Sequence, residues 1–187
     1  YGAERLGAAV VSASTGGIAA DQIAIMRDYK TTVLAGMPST ALVIATALEQ
    51  QGLHPEELNL RVGIFGAEPW SEKVRQRIEQ RLRIKAFDTY GVSELMGPGV
   101  AAECAERGGL HVNEDQFIVE VVDPVSLRRC APGEEGELVF TTIAKEGVPL
   151  IRYRTGDLAS LTEEPCACGR TFARMSRVRG RTDDLVM

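Results

Sequence analysis

Asp88-Thr89-Tyr90-Gly91-Val92-Ser93-Glu94 sets a flat aromatic ring, a residue without a side chain, a hydroxyl and a carboxylate directly behind an apolar run. The order reads as a strand running into a loop. Tyr90 offers a stacking face, Gly91 lets a ligand approach the backbone, and Ser93 and Glu94 offer oxygen ligands. Gly66-Ala67-Glu68-Pro69 forms a second small-residue loop with room for a planar base. Tyr153-Arg154-Thr155-Gly156-Asp157 forms a third, in which a turn at Gly156 presents Asp157, and a carboxylate accepts two hydrogen bonds from a ribose diol. Arg179-Gly180-Arg181-Thr182-Asp183-Asp184 mixes cations, a glycine and carboxylates, and reads either as a linker or as a ligand contact. Each piece has a plain alternative. Gly66 and Gly91 could only permit turns, and Asp157 could be half of a surface Arg–Asp pair.

Cysteine supplies a separate constellation. Cys166 and Cys168 form a Cys-x-Cys pair, and Cys104 precedes His111 by a short loop. Four such ligands could close a tetrahedral structural zinc site, the alternative being free cysteines that are simply buried. Cys130, in a turn before Pro132-Gly133, is the fourth-choice ligand. Among the arginines of the tail, Arg170, Arg174, Arg177 and Arg179 read as solvated or paired with carboxylates, with Arg181 set apart.

The elements that must position these groups follow from periodicity. Up to Tyr90, short apolar runs alternate with amphipathic stretches, the pattern of strands and helices around a largely parallel sheet. Strands are predicted near Ala8–Val11, Thr32–Ala35, Leu60–Phe65 and Ile84–Tyr90, with helices near Ala20–Tyr29, Ser39–Gln51 and Ser71–Leu82. In the last helix Val74, Ile78 and Leu82 share one face while Lys73, Arg75 and Gln76 point away. The two small-residue loops then lie at the same edge of the sheet, where open α/β sheets bind ligands. Beyond Glu94 the runs Phe117–Val122, Glu137–Thr142 and Leu158–Thr162, separated by Pro and Gly turns, predict an antiparallel or barrel-like half. Gly97-Pro98-Gly99 is expected to break any regular element, dividing an α/β subdomain over 1–95 from a β-rich subdomain over 96–187.

Composition bounds the possibilities. With 187 residues, 44% hydrophobic and 25% charged, the chain can bury a sizeable core and is not a disordered tract. A net charge of -5 argues against a nucleic-acid or anionic-membrane surface. No apolar run approaches the roughly 20 residues of a membrane helix, and no secretory signal pattern opens the chain, so a cytoplasmic protein is expected. The chain starts at Tyr1 rather than at a methionine and reads as a piece of something longer.

Taken in order, these motifs resemble the adenylate-forming superfamily of acyl-CoA ligases, and more closely its phenylacetate–CoA ligase branch. The resemblance rests on Tyr90-Gly91-Val92-Ser93-Glu94 with Met96-Gly97-Pro98-Gly99, on Gly66-Ala67-Glu68-Pro69-Trp70, on Gly109-Leu110-His111 with Glu114-Asp115, and on Arg152 to Asp157. It covers essentially the whole chain. It implies conversion of a carboxylate and ATP to an acyl-adenylate, followed by transfer of the acyl group to coenzyme A. It further implies that Gly66, Ala67, Glu68 and Pro69 border the adenine, and that Asp88, Thr89, Tyr90, Gly91, Val92 and Ser93 wrap the adenine and α-phosphate. Glu94, with Ser93 beside it in the catalytic pair, would ligate Mg2+. Asp157 would bind the ribose, Arg181 the ribose or phosphate, and Asp183 would serve as a hinge. In some members of the branch a metal occupies the region of Cys104, His111, Cys166 and Cys168.

The resemblance also implies parts outside this chain: a phosphate loop before Tyr1 and a lysine-bearing lid domain after Met187. Ser12-Ala13-Ser14-Thr15-Gly16-Gly17 has no lysine nearby and fits a turn near the acyl pocket better. Phenylacetate or a related aryl acid is the expected substrate, held by walls drawn from Phe65, Gly66, Tyr90, Gly91 and Met96–Pro98. The fragment alone is expected to be inactive, and a homodimer stays open. The alternatives are a relative that adenylates another acid or a coenzyme, and a non-catalytic nucleotide-binding or zinc-stapled module.

Overall fold

The computed structural model describes residues 2–13 and 19–184. Residues 14–18, which include most of the expected Ser12–Gly17 turn, lie outside the described residues, as do residues 185–187. After a short helix α1 (Gly2–Arg5) come α2 (Ala19–Asp28), β1 (Val33–Gly36), α3 (Pro38–Gln50), β2 (Val62–Phe65), α4 (Glu72–Leu82) and β3 (Lys85–Val92). Strands β1, β2 and β3 pair in parallel, with Phe65 opposite Asp88 at the ligand-facing end. Pro38 opens α3, where its missing N–H would have no partner in any case. Ser71 caps α4 by accepting the Val74 N–H at 3.3 Å. Ile44, Leu48, Phe65, Ile78, Leu82 and Ala86 close the first core, each large side chain contributing about 1.5–3 kcal/mol by burial.

Seven further strands follow among the described residues: β4 (Gly97–Glu103), β5 (Leu110–Val112), β6 (Phe117–Val122), β7 (Glu135–Thr142), β8 (Tyr153–Thr162), β9 (Arg174–Met175) and β10 (Gly180–Arg181). All pair antiparallel, and the sheet runs without interruption in the order β1-β2-β3-β4-β5-β9-β8-β7-β6, with β10 attached to β8. Its ends do not meet, so this half is an open antiparallel sheet and not a barrel. A second core of Leu95, Leu110, Phe117, Leu138, Phe140 and Met175 fills it.

Four expectations change. Ala8–Val11 is exposed, forms no strand and pairs with none of the strands among the described residues, although β1 leaves one edge of the sheet unpaired. Gly97-Pro98-Gly99 does not break the chain but begins β4. There Gly91 pairs with Pro98 and Tyr90 with Ala101, which leaves two residues of β4 unmatched as a bulge. The strand expected to end at Tyr90 therefore continues through Gly91 and Val92. Arg75, expected on the solvent face of α4, is fully buried, because it lies one turn before Ile78 on the face that packs against β3. Finally, β8 begins at Tyr153, so that Thr155, Gly156 and Asp157 belong to the strand.

Candidate functional site

Strand β3 changes partners midway, from parallel pairing with β2 through Asp88 to antiparallel pairing with β4 from Thr89. At this switch a cavity of about 430 Å³ opens. Three segments wall it: Ala67–Trp70 after β2, Asp88–Val92 of β3, and residues between Met175 at the end of β9 and Arg181, with Leu110 and Asp157 also in the lining. Gly91 is required here by space, since a Cβ would lie 2.3 Å from the carbonyl oxygen of Gly97.

Asp157 is delivered by a bulge in β8. Glu137 pairs with Leu158 and Val139 with Arg154, so Thr155, Gly156 and Asp157 stand opposite one residue of β7. Gly156 supplies the positive φ of 78° that this bend needs. The Asp157 carboxylate accepts the Tyr90 hydroxyl at 2.7 Å and Arg181 Nη1 at 2.9 Å. Three segments far apart in sequence meet at one carboxylate. Burial pushes the Tyr90 phenol far above its usual value, and the bond and negative charge of Asp157 add to the shift. The hydroxyl therefore stays a donor.

Of the expected ligand residues, Ala67, Glu68, Pro69, Asp88, Thr89, Tyr90, Gly91, Val92, Asp157 and Arg181 line the cavity. Gly66, Ser93 and Glu94 do not. Ser93 and Glu94 lie exposed in the turn beyond β3, where Glu94 faces Tyr153. The Glu68 carboxylate is engaged at the start of α3, accepting the Ser39 N–H at 2.6 Å and the Ser39 hydroxyl at 3.1 Å. Tyr90 rests one ring face on Phe140, with centroids 6.1 Å apart and planes 23° apart. Phe65, expected in an acid-binding wall, is enclosed in the first core against Trp70. Asp183 lies 3.3 Å from Arg181 Nη2.

Sequence reasoning overlooked Trp70, Leu110, Met175, Arg177 and Val178 as cavity-lining residues. Trp70 carried a usable signal, being the single tryptophan and directly adjoining Pro69. Arg177 carried none, since nothing in its neighbourhood distinguishes it from Arg174 or Arg179.

The cysteine constellation is assembled away from the cavity. Donor atoms of Cys104, His111, Cys166 and Cys168 all lie within 4.8 Å of one another. Cys104 Sγ and Cys166 Sγ are 3.8 Å apart, and Cys168 Sγ lies 3.5 Å from His111 Nε2. A tetrahedron with Zn–S of ~2.3 Å and Zn–N of ~2.0 Å has S–S and S–N edges of about 3.8 and 3.5 Å, which these two contacts match. Burial and the neighbouring Arg170 charge lower the His111 pKa, which favours the neutral imidazole a metal requires. The backbone N–H of Arg170 draws the Cys168 thiol down, while burial pushes Cys104 up. Cys130 lies elsewhere, its Sγ 3.9 Å from the Glu135 carbonyl oxygen.

An open α/β sheet with a cavity at its switch point is the architecture of the adenylate-forming ligases, and the chain belongs to the AMP-binding enzyme family, whose model matches residues 1–144. Over its whole length it is 46% identical to the phenylacetate-coenzyme A ligase of Thermus thermophilus and 47% identical to that of Escherichia coli. The chain spans 42% of the length of these curated relatives. A crystal structure of 2-hydroxyisobutyryl-CoA ligase with 2-HIB-AMP and CoA superposes on all of this chain with a TM-score of 0.91 at 30% identity, the match covering 45% of that protein. A benzoate CoA ligase from Burkholderia xenovorans shares the fold over 91% of this chain and 35% of its own, with a TM-score of 0.64 at 16% identity.

Proposed function

We propose that this chain forms the nucleotide-binding part of an AMP-forming acyl-CoA ligase that activates phenylacetate or a related aryl acid. The observation that carries the reading is the meeting of Tyr90, Asp157 and Arg181 at one carboxylate lining the cavity. A ribose diol donates to such a carboxylate, and Arg181 is placed to offset phosphate charge. The flat cavity walls of Tyr90, Ala67 and Pro69 accept the adenine. Glu94, exposed beyond the end of β3, would hold Mg2+, which favours oxygen ligands and would neutralise charge on the phosphates. Activation at the α-phosphorus depends on positioning and charge compensation rather than on a protein nucleophile. Coenzyme A would then accept the acyl group.

Zinc at Cys104, His111, Cys166 and Cys168 would be structural, since four protein donors leave no open position. It would tie the ends of β4 and β5 to the loop after β8. We assign the protein to the cytoplasm, where thiols stay reduced and available to a metal; among the described residues no helix is long and apolar enough to cross a membrane. The names of the relatives support phenylacetate as the acid.

The test is pyrophosphate release by the full-length protein with ATP, Mg2+ and a panel of carboxylates, followed by detection of the acyl thioester. Release that phenylacetate stimulates most, with phenylacetyl-CoA formed, is expected. Activity confined to a non-aromatic acid would overturn the substrate assignment, and no release with any acid would overturn the activity.

A further inference from the structure

Arg177 lies in the irregular stretch between β9 and β10, yet its side chain reaches groups delivered by four other segments. Its guanidinium carbon is 5.5 Å from the centroid of Trp70, Nε lies 3.3 Å from Asp88 Oδ2, and Nη2 lies 3.2 Å from Glu72 and 3.4 Å from Glu103. Among these groups only Asp88, Trp70 and Arg177 line the cavity. Glu103 is already committed, accepting Arg75 through both oxygens and the Asp88 backbone N–H at 2.7 Å. Arg177 is therefore the cavity-lining cation in contact with the Asp88 carboxyl.

We propose that Arg177 is a positioning residue of this pocket, holding the Asp88 side chain as a pure hydrogen-bond acceptor and so determining which nucleobase edge the pocket admits. The inference rests on the nucleotide reading of the same cavity. A carboxylate only accepts, whereas a protonated carboxyl also donates. A 6-amino purine presents a donor to such a group, while a 6-oxo purine presents an acceptor and is repelled by it.

The surroundings make the ionisation of Asp88 sensitive. Burial pushes its carboxyl up to about 6; the Trp70 indole draws it down, the Glu103 charge raises it, and Arg75 and the Thr89 N–H lower it. Facing it are Glu103 from β4, Arg75 from α4, the Trp70 loop and Arg177, with Glu72 beyond Arg177. Without Arg177, two carboxylates remain close by and one of the two nearby cations is lost.

Equilibrium dialysis of ATP and ITP on the full-length protein tests this across pH 5–8 with R177K and R177Q. The wild type is expected to favour ATP, and to lose that preference as pH falls through about 6. In R177Q the ATP/ITP ratio at pH 7.5 should fall about tenfold and the pH midpoint should rise by roughly one unit, the effect of losing an adjacent opposite charge. R177K, which keeps the charge but lacks Nε, should fall between the two. A merely structural role would weaken both nucleotides equally. An unchanged ratio and midpoint in R177Q, or in R177K should R177Q fail to fold, overturns the proposal while leaving the nucleotide reading intact. A wild type that binds neither nucleotide overturns both.

Discussion

Replacing Asp157 with Asn keeps the side-chain shape and removes only its charge. Asp157 is largely buried, its side chain 9% exposed, and accepts Tyr90 at 2.7 Å and Arg181 at 2.9 Å. The Asn amide can turn its NH2 toward the Tyr90 oxygen and its carbonyl toward Arg181, so the fold should survive. What is lost is charge assistance to each bond. A hydrogen bond to a charged group is worth about 1.5–3 kcal/mol, against about 1 for a neutral one. For a ribose hydroxyl donating to this side chain, D157N should weaken AMP binding about 2- to 30-fold, at 1.4 kcal/mol per tenfold. The discriminating measurement is calorimetric titration of wild type and D157N with AMP and with 2′,3′-dideoxy-AMP. The dideoxy ligand lacks the donors, so the substitution should hardly affect it, and the coupling between mutation and ligand change should appear as a non-additive term. If D157N weakens both ligands by the same factor, Asp157 does not read the ribose and the reasoning fails.

Three further outcomes are expected. Metal analysis of the purified protein should find one zinc per chain, removal by chelator should lower the thermal midpoint by about 4–8 °C for about 2 kcal/mol, and C166S should abolish the stoichiometric metal. Arg75→Ala should destabilise the fold by about 3–5 kcal/mol in urea titrations, because Glu103, its side chain only 2% exposed, loses its bidentate partner while buried. For Asp88 the sign follows from a folded pKa raised from 3.8 to about 6. Between these values the folded chain binds more protons than the unfolded one, so the contribution of Asp88 to stability falls as pH rises from about 4 to about 6 and stays low above it. Asp88→Asn should flatten that slope in pH-dependent denaturation, and an unchanged slope would exclude Asp88 as its source.

Much of the architecture was legible in local pattern. Val74, Ile78 and Leu82 announced α4, Pro38 marked the start of α3, and the apolar runs at β2 and β3 placed Ala67 and Asp88 at one edge of the sheet. The Cys104, His111, Cys166 and Cys168 set was also legible, because cysteine and histidine are scarce in this chain, with four and two residues, and these four come together. Gly97-Pro98-Gly99 misled for a local reason. Glycine and proline usually interrupt strands, but at a bulge their conformations are what the ladder requires.

What the sequence determined by itself was which residue types were available and which segments would be strand or helix. Tertiary structure alone decided which charges met. Tyr90 finds Asp157 across 67 positions, Arg75 finds Glu103 across 28, and Arg177 reaches back to Asp88 and Trp70 from near the end of the chain. Periodicity reports which face of one element is apolar, and it treats an arginine as solvent-facing by default. Whether that arginine is buried depends on a carboxylate supplied by a different strand, and only the packing of helix against sheet brings the two together.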